Sequence, residues 1–147
     1  MNLEKYDLNF DDDHFTFRFI SDGPRGKIQK IVVFTELVGT DNYYNLSFGD
    51  WNEFTQKLDD TIISNNLDTP KILSTVAFVA ESFLAKRPGA VIFAAGNSAA
   101  RNRLYRISIA KHLAEINSRF VVRGSCNKKW QSFKKGVSYD AFLLFHK

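Results

Sequence analysis

Val91-Ile92-Phe93-Ala94-Ala95-Gly96-Asn97-Ser98-Ala99-Ala100-Arg101-Asn102-Arg103-Leu104-Tyr105-Arg106 changes character halfway along. Residues 90–95 are a short apolar run between Pro88-Gly89 and Gly96-Asn97, too short for a helix and bounded by turn residues. They read as a buried strand. From Ser98 the period becomes helical. Tyr105, Ile109, Leu113 and Ile116 fall on one face and Leu104 and Ile107 on another, so a helix over residues 98–117 is expected to pack on two sides. A strand running through Gly-Asn-Ser into a two-sided helix marks the middle of a domain that mixes sheet and helix.

Upstream, Asp68 or Thr69 caps an earlier helix, with Pro70 in its first turn, where the missing N–H costs nothing. Ile72, Val76, Val79, Ala80 and Phe83 recur at helical spacing until Pro88-Gly89 stops it. Further upstream, residues 14–19 alternate at period 2, residues 22–26 are turn-forming, and residues 27–36 give a second strand. A third strand over residues 43–48 puts Tyr44, Leu46 and Phe48 on one face, and Gly49-Asp50 is expected to end it. Residues 49–67 read as loop with one short element. Downstream, residues 120–123 form a strand, residues 128–135 a basic segment, and residues 139–145 a closing strand. The expected fold is α+β: one domain over residues 1–147, with a mostly antiparallel sheet of about five to six strands and two main helices on one face.

The composition supports a real core: 147 residues, 44% hydrophobic, with 14 Phe. The single cysteine, Cys126, forms no internal disulfide. The N-terminus lacks a basic then apolar leader, and no apolar run reaches the ~20 residues of a membrane span. A cytoplasmic protein without a membrane partner is expected. Twenty Lys and Arg face 16 Asp and Glu, for a net charge of +4. The charge is uneven. Residues 1–60 hold most of the acid, and residues 86–135 hold twelve Lys and Arg against Glu115. Two readings stay open: an acidic or polyanionic partner for the basic half, or neutralisation of one half by the other.

Gly96, Asn97, Ser98, Arg101, Arg103, Tyr105 and Arg106 form the candidate anion site. A helix start carries unpaired N–H groups and partial positive charge, and arginine suits bidentate contact with phosphate. The spacing is neither a P-loop nor a dinucleotide fingerprint. At about 100° per residue, Arg103 and Arg106 share one side while Arg101 lies elsewhere, so two arginines can bracket an anion but not three. The architectural alternative is a capped helix with solvated or salt-bridged arginines.

Lys128, Lys129, Trp130, Lys134 and Lys135 interleave cations with aromatics, which suits single-stranded nucleic acid. The alternative is a loop that Trp130 and Phe133 anchor to the core. Asp50, Asp59 and Asp60 can hold Mg²⁺ or act as acid and base, but turn and capping chemistry is the stronger reading of them. His14, His112 and His146 lack metal-ligand spacing with one another, Cys or acids. Cys126, in the loop Gly124-Ser125-Cys126-Asn127, can in principle pair with a distant His as a nucleophile, but an ordinary cysteine is the stronger reading. No metal or cofactor is implied.

Tyr43-Tyr44-Asn45-Leu46-Ser47-Phe48-Gly49-Asp50, Ile63-Ser64-Asn65-Asn66-Leu67-Asp68, Leu73-Ser74-Thr75-Val76-Ala77, Gly96-Asn97-Ser98 with Arg101-Asn102-Arg103-Leu104-Tyr105-Arg106, and Tyr139-Asp140-Ala141-Phe142-Leu143 resemble an uncharacterised family of small bacterial proteins over nearly the whole chain. The resemblance implies a stand-alone domain and brings no activity or catalytic residues. Three functions remain. The first is a binding module for nucleic acid or a phosphorylated ligand, by analogy like RNA- or ribosome-directed toxins. The second is a metal-independent ribonuclease or phosphotransfer enzyme using Arg101, Arg103, Tyr105 and His112. The third is a protein–protein module meeting an acidic partner. No general base stands beside the arginines in sequence, which favours binding.

Overall fold

A computed structural model describes residues 4–59, 66–96 and 98–147. Its strands are β1 (Asn9–Phe10), β2 (Thr16–Gly23), β3 (Gly26–Glu36), β4 (Tyr43–Asn52), β5 (Lys57–Asp59), β6 (Val91–Ala94), β7 (Phe120–Cys126), β8 (Lys129–Ser132) and β9 (Ala141–His146). Its helices are α1 (Thr69–Ala85), α2 (Ala99–Lys111) and α3 (Leu113–Arg119). The strands run in the order β1-β2-β3-β4-β6-β9-β7-β8, and β5 pairs with the far end of β4. The β4–β6 pairing is parallel and the others described are antiparallel. A parallel neighbour needs a long crossover, and β5 and α1 lie within the one that joins β4 to β6.

This corrects the expected five to six strands and two helices: the sheet is mixed, and the described residues form nine strands and three helices. The missed strands are short edge or side pieces with no alternation to read. β1 has 2 residues, β5 has 3, and the four residues of β8 are all exposed. β4 also runs through Gly49-Asp50, where a stop was expected. Gly49 pairs with Ile31, and the Asp50 carboxylate meets the buried Lys30 ammonium from the facing position on β3. An Asp inside a strand is tolerated because the facing strand supplies its counter-charge. The expected single helix over residues 98–117 is broken at His112. Its N–H is shared among the carbonyls of Ser108, Ile109 and Ala110, which tightens the last turn of α2. Neither Gly nor Pro announces this break.

Partners in register share a face, so the sheet has two distinct sides. Phe19, Val32, Phe34, Tyr44, Leu46 and Phe48 face the helices, as do Ile92, Phe142, Val122 and Phe120. Phe83 of α1 is fully buried, stacked 3.9 Å from Phe34 and edge-on to Tyr44 at 5.1 Å. Such aromatic pairs contribute about 0.5–1.5 kcal/mol each beyond their area. Residues of all three helices and of the sheet's inner face line one apolar cavity of about 90 Å³. All three helices therefore cover the same face. Among the described residues no helix covers the other.

Candidate basic surface

The turn after β6 is closed by the protein's own groups. Gly96 N–H donates to Asn102 Oδ1 at 2.7 Å, and Ser98 Oγ accepts from Arg101 N–H at 3.2 Å. Gly96 is required by close approach: a Cβ there would sit 2.6 Å from the Arg101 side chain. Ser98 and Gly96 thus cap and turn the helix. Asn97 lies outside the described residues.

The arginines divide. Arg101 is 5% exposed, with its guanidinium 5.1 Å over the Phe48 ring on the sheet's inner face. Tyr105 is buried too, edge-on to Phe142 at 6.3 Å and lining the apolar cavity. Arg103 and Arg106 instead point outward. With Ala99, Asn102, Ser138, Tyr139 and Asp140 they line a surface pocket of about 300 Å³. Arg106 Nη1 donates to Ser138 Oγ at 3.0 Å.

Sequence reasoning missed Ser138 and Asp140, which are 35 and 37 positions past Arg103. Only the path of the chain brings them to the arginines. Tyr139, between them, fixes that path. Its ring packs so closely on Gly124 that a Cβ there would fall 2.4 Å from it. Its hydroxyl accepts from Lys134 N–H at 2.9 Å and from Gln131 Nε2 at 3.2 Å. Phe133 is buried, its ring tilted against Tyr139 at 5.4 Å. Phe133, not Trp130, is therefore the anchor of the basic segment. Lys128, Lys129, Lys134 and Lys135 are exposed. Trp130 is 43% exposed on β8, its ring edge-on to Phe93 at 6.2 Å.

Arg103 and Arg106 reach the 138–140 turn, and Tyr139 ties that turn to the backbone N–H of Lys134 and to Gln131 of β8.

The remaining candidates lie apart from that turn. His112 is 5% exposed, and its Nε2 has no hydrogen-bond partner among the described residues. Burial, aided by Lys111, holds its pKa below the usual histidine value. It does not share the Arg103–Arg106 pocket. Asp50 and Asp59 face each other across β4 and β5, beside Lys30, and Asp60 lies outside the described residues. Cys126 ends β7 half-buried against the core. His146 packs on Phe120 at 5.1 Å, and His14 sits in a turn with φ 59°. Among the described residues no three His, Cys, Asp or Glu side chains gather as a metal site would need, and no helix is long and apolar enough to cross a membrane. Asp68, read as a cap, makes no side-chain capping bond. Its Oδ2 accepts from Tyr6 Oη and Ser21 Oγ, both at 2.5 Å.

A family described as of unknown function, DUF6934, matches residues 2–147. No curated protein and no solved structure matches the chain.

Proposed function

The chain belongs to the DUF6934 family, and we propose that it is a nucleic-acid-binding module that grips phosphates along a basic band formed by Arg103, Arg106, Lys134 and Lys135. The observation that carries this reading is the pocket that Arg103 and Arg106 share with Ser138 and Asp140, in a turn whose Tyr139 hydroxyl also accepts from the backbone N–H of Lys134. Solvated arginines with no task need no such clamp. Spaced cations along one band match a polymer of phosphates better than a single small anion.

Binding to poly(U) at several salt concentrations tests it. Affinity is expected to fall steeply with salt as counterions are released. Arg103→Ala is expected to lower the salt slope by about 1 and to change stability by no more than about 0.5 kcal/mol. Arg101→Ala is expected to lower the melting temperature instead, because it removes a buried guanidinium from its place over Phe48. Salt-independent binding, or none to any nucleic acid tried, sinks the reading.

Asp140 favours a second reading, a metal-independent nuclease. It sets a carboxylate in the pocket of Arg103 and Arg106, the base that the sequence lacked beside them. There it can take a proton while the arginines stabilise developing negative charge. Asp140→Asn separates the two. A pure binder is expected to bind nucleic acid more tightly once the repelling charge is gone. A nuclease is expected to lose turnover while binding persists.

A further inference from the structure

The side of the sheet that bears no described helix is not a plain solvated surface. Register puts Tyr43, Val91, Phe145 and Val121 in one row across β4, β6, β9 and β7. Asn45, Phe93, Leu143 and Arg123 form the next. A sheet face left to water normally carries polar residues at such positions. Here each of the two rows holds apolar or aromatic side chains, and the described residues bring no element over them.

Trp130 sharpens the point. It stands on the edge strand β8, yet its ring meets Phe93 on β6, with β7 and β9 between. Strands lie about 4.8 Å apart, so the indole leans back over the sheet while staying 43% exposed. At the other end of the same face the Arg18 guanidinium sits 4.7 Å over the Trp51 ring. Between the two ends Asn45 and Ser47 offer an amide and a hydroxyl, already joined at 3.0 Å. The face therefore has flat rings at both ends, hydrogen-bonding groups between, and the exposed cation Arg123 beside Trp130.

We infer that this face is a stacking platform for the bases of single-stranded nucleic acid. The inference rests on the nucleic-acid reading above and adds the strand state of the ligand. Charge complementarity selects this occupant. Arg123 projects from the face, and Lys128 and Lys129 are exposed at the hairpin beside it. A polyanion whose bases carry π faces satisfies both the rings and the cations. A duplex satisfies only the cations, because its bases are stacked on each other.

The test uses the full chain with Trp51→Phe, so that Trp130 is the sole indole. Its fluorescence is followed during titration with poly(U), with oligo(dT) and with a duplex of equal length. Both single strands are expected to quench Trp130 and the duplex is not. A response to poly(U) alone, or to oligo(dT) alone, assigns the platform to RNA or to DNA. Trp130→Ala is expected to weaken single-strand binding by about 5- to 150-fold, the range for losing one stacked base, while the salt slope stays unchanged. Trp130→Phe, which keeps a ring, is expected to retain most of the affinity, and Phe93→Leu provides a second lesion that spares the edge. Equal binding by Trp130→Ala and the parent, or equal quenching by duplex and single strand, overturns the platform. If salt-dependent binding persists in that case, the phosphate-gripping function stands without it. If no nucleic acid binds at all, both fall. A dimer in sedimentation that Trp130→Ala dissociates also overturns the platform, since the face would then be closed by a second copy.

Discussion

Arg101 and Arg103 stand two positions apart in α2, and about 200° separates them around the helix axis. That angle sends Arg101 inward over Phe48 and Arg103 outward to the pocket with Asp140. At this scale His112 also gives a testable result. Its pKa in the folded chain is lowered, chiefly by burial. The unfolded chain, with a histidine near 6.5, then binds more protons than the folded one just below that pH. Stability is therefore expected to be full above about pH 6.5 and to fall as the pH drops below it, because protons pull toward the unfolded state. Lys111 adds to the depression and Glu115 opposes it. His112→Gln is expected to flatten this slope, read from urea midpoints between about pH 7.5 and pH 5. An identical slope in the variant and the parent would falsify the buried, neutral histidine. The residue identities alone show that His112 sits near the apolar stripe. That the stripe breaks there, leaving Nε2 without a partner, is set by how α2 and α3 pack.

At the scale of elements, the β7–β8 hairpin shows a local choice that works against stability. Its two-residue turn holds Asn127 at φ 53° and Lys128 at φ 65°. A turn with both φ positive suits Asn-Gly, and a non-glycine side chain in the left-handed region costs about 1–2 kcal/mol. Glycine returns roughly 0.5–1 kcal/mol of that as extra freedom in the unfolded chain. Lys128→Gly is thus expected to stabilise the protein by about 0.5–1 kcal/mol in urea titration. On the nucleic-acid reading it also weakens binding, since one cation leaves the band. A destabilised variant would show that the Lys128 side chain contributes packing at the tip. Elements such as α1 and β4 were readable because each buries one regular face, Tyr44, Leu46 and Phe48 in β4, and regular burial leaves a period. β8 was not, since a four-residue edge strand with every residue exposed leaves none. The extension of β4 past Gly49 was hidden for another reason: Lys30, the partner that makes Asp50 tolerable, is 20 positions away.

At the scale of the whole molecule, the surface depends on one close contact. Tyr139 presses on Gly124, which pairs with Phe142 on one side and Gln131 on the other. Gly124→Ala places a methyl group inside van der Waals range of the ring. It is expected to cost about 1–3 kcal/mol, as overpacking does, with a lower urea midpoint and a chain that stays folded. It is also expected to loosen the 133–140 segment, so that nucleic-acid affinity falls more than Arg103→Ala alone would cause. A variant as stable as the parent would show that the Tyr139 clamp yields without cost.

The sequence by itself determined that the chain mixes helix and sheet, that α1 and α2 carry apolar faces, and that cations concentrate in its second half. These are properties of spacing and composition, and they survive any rearrangement of neighbours. Tertiary structure alone decided that the described residues form a sheet of nine strands, that Arg101 is buried while Arg103 is not, and that Asp140 joins the arginines. It also decided that one apolar sheet face carries no described helix. Each of these depends on which distant segment lies alongside, and the physical reason is the same throughout. Burial and charge pairing are fixed by contacts between residues far apart in the chain, and a one-dimensional period carries no record of them.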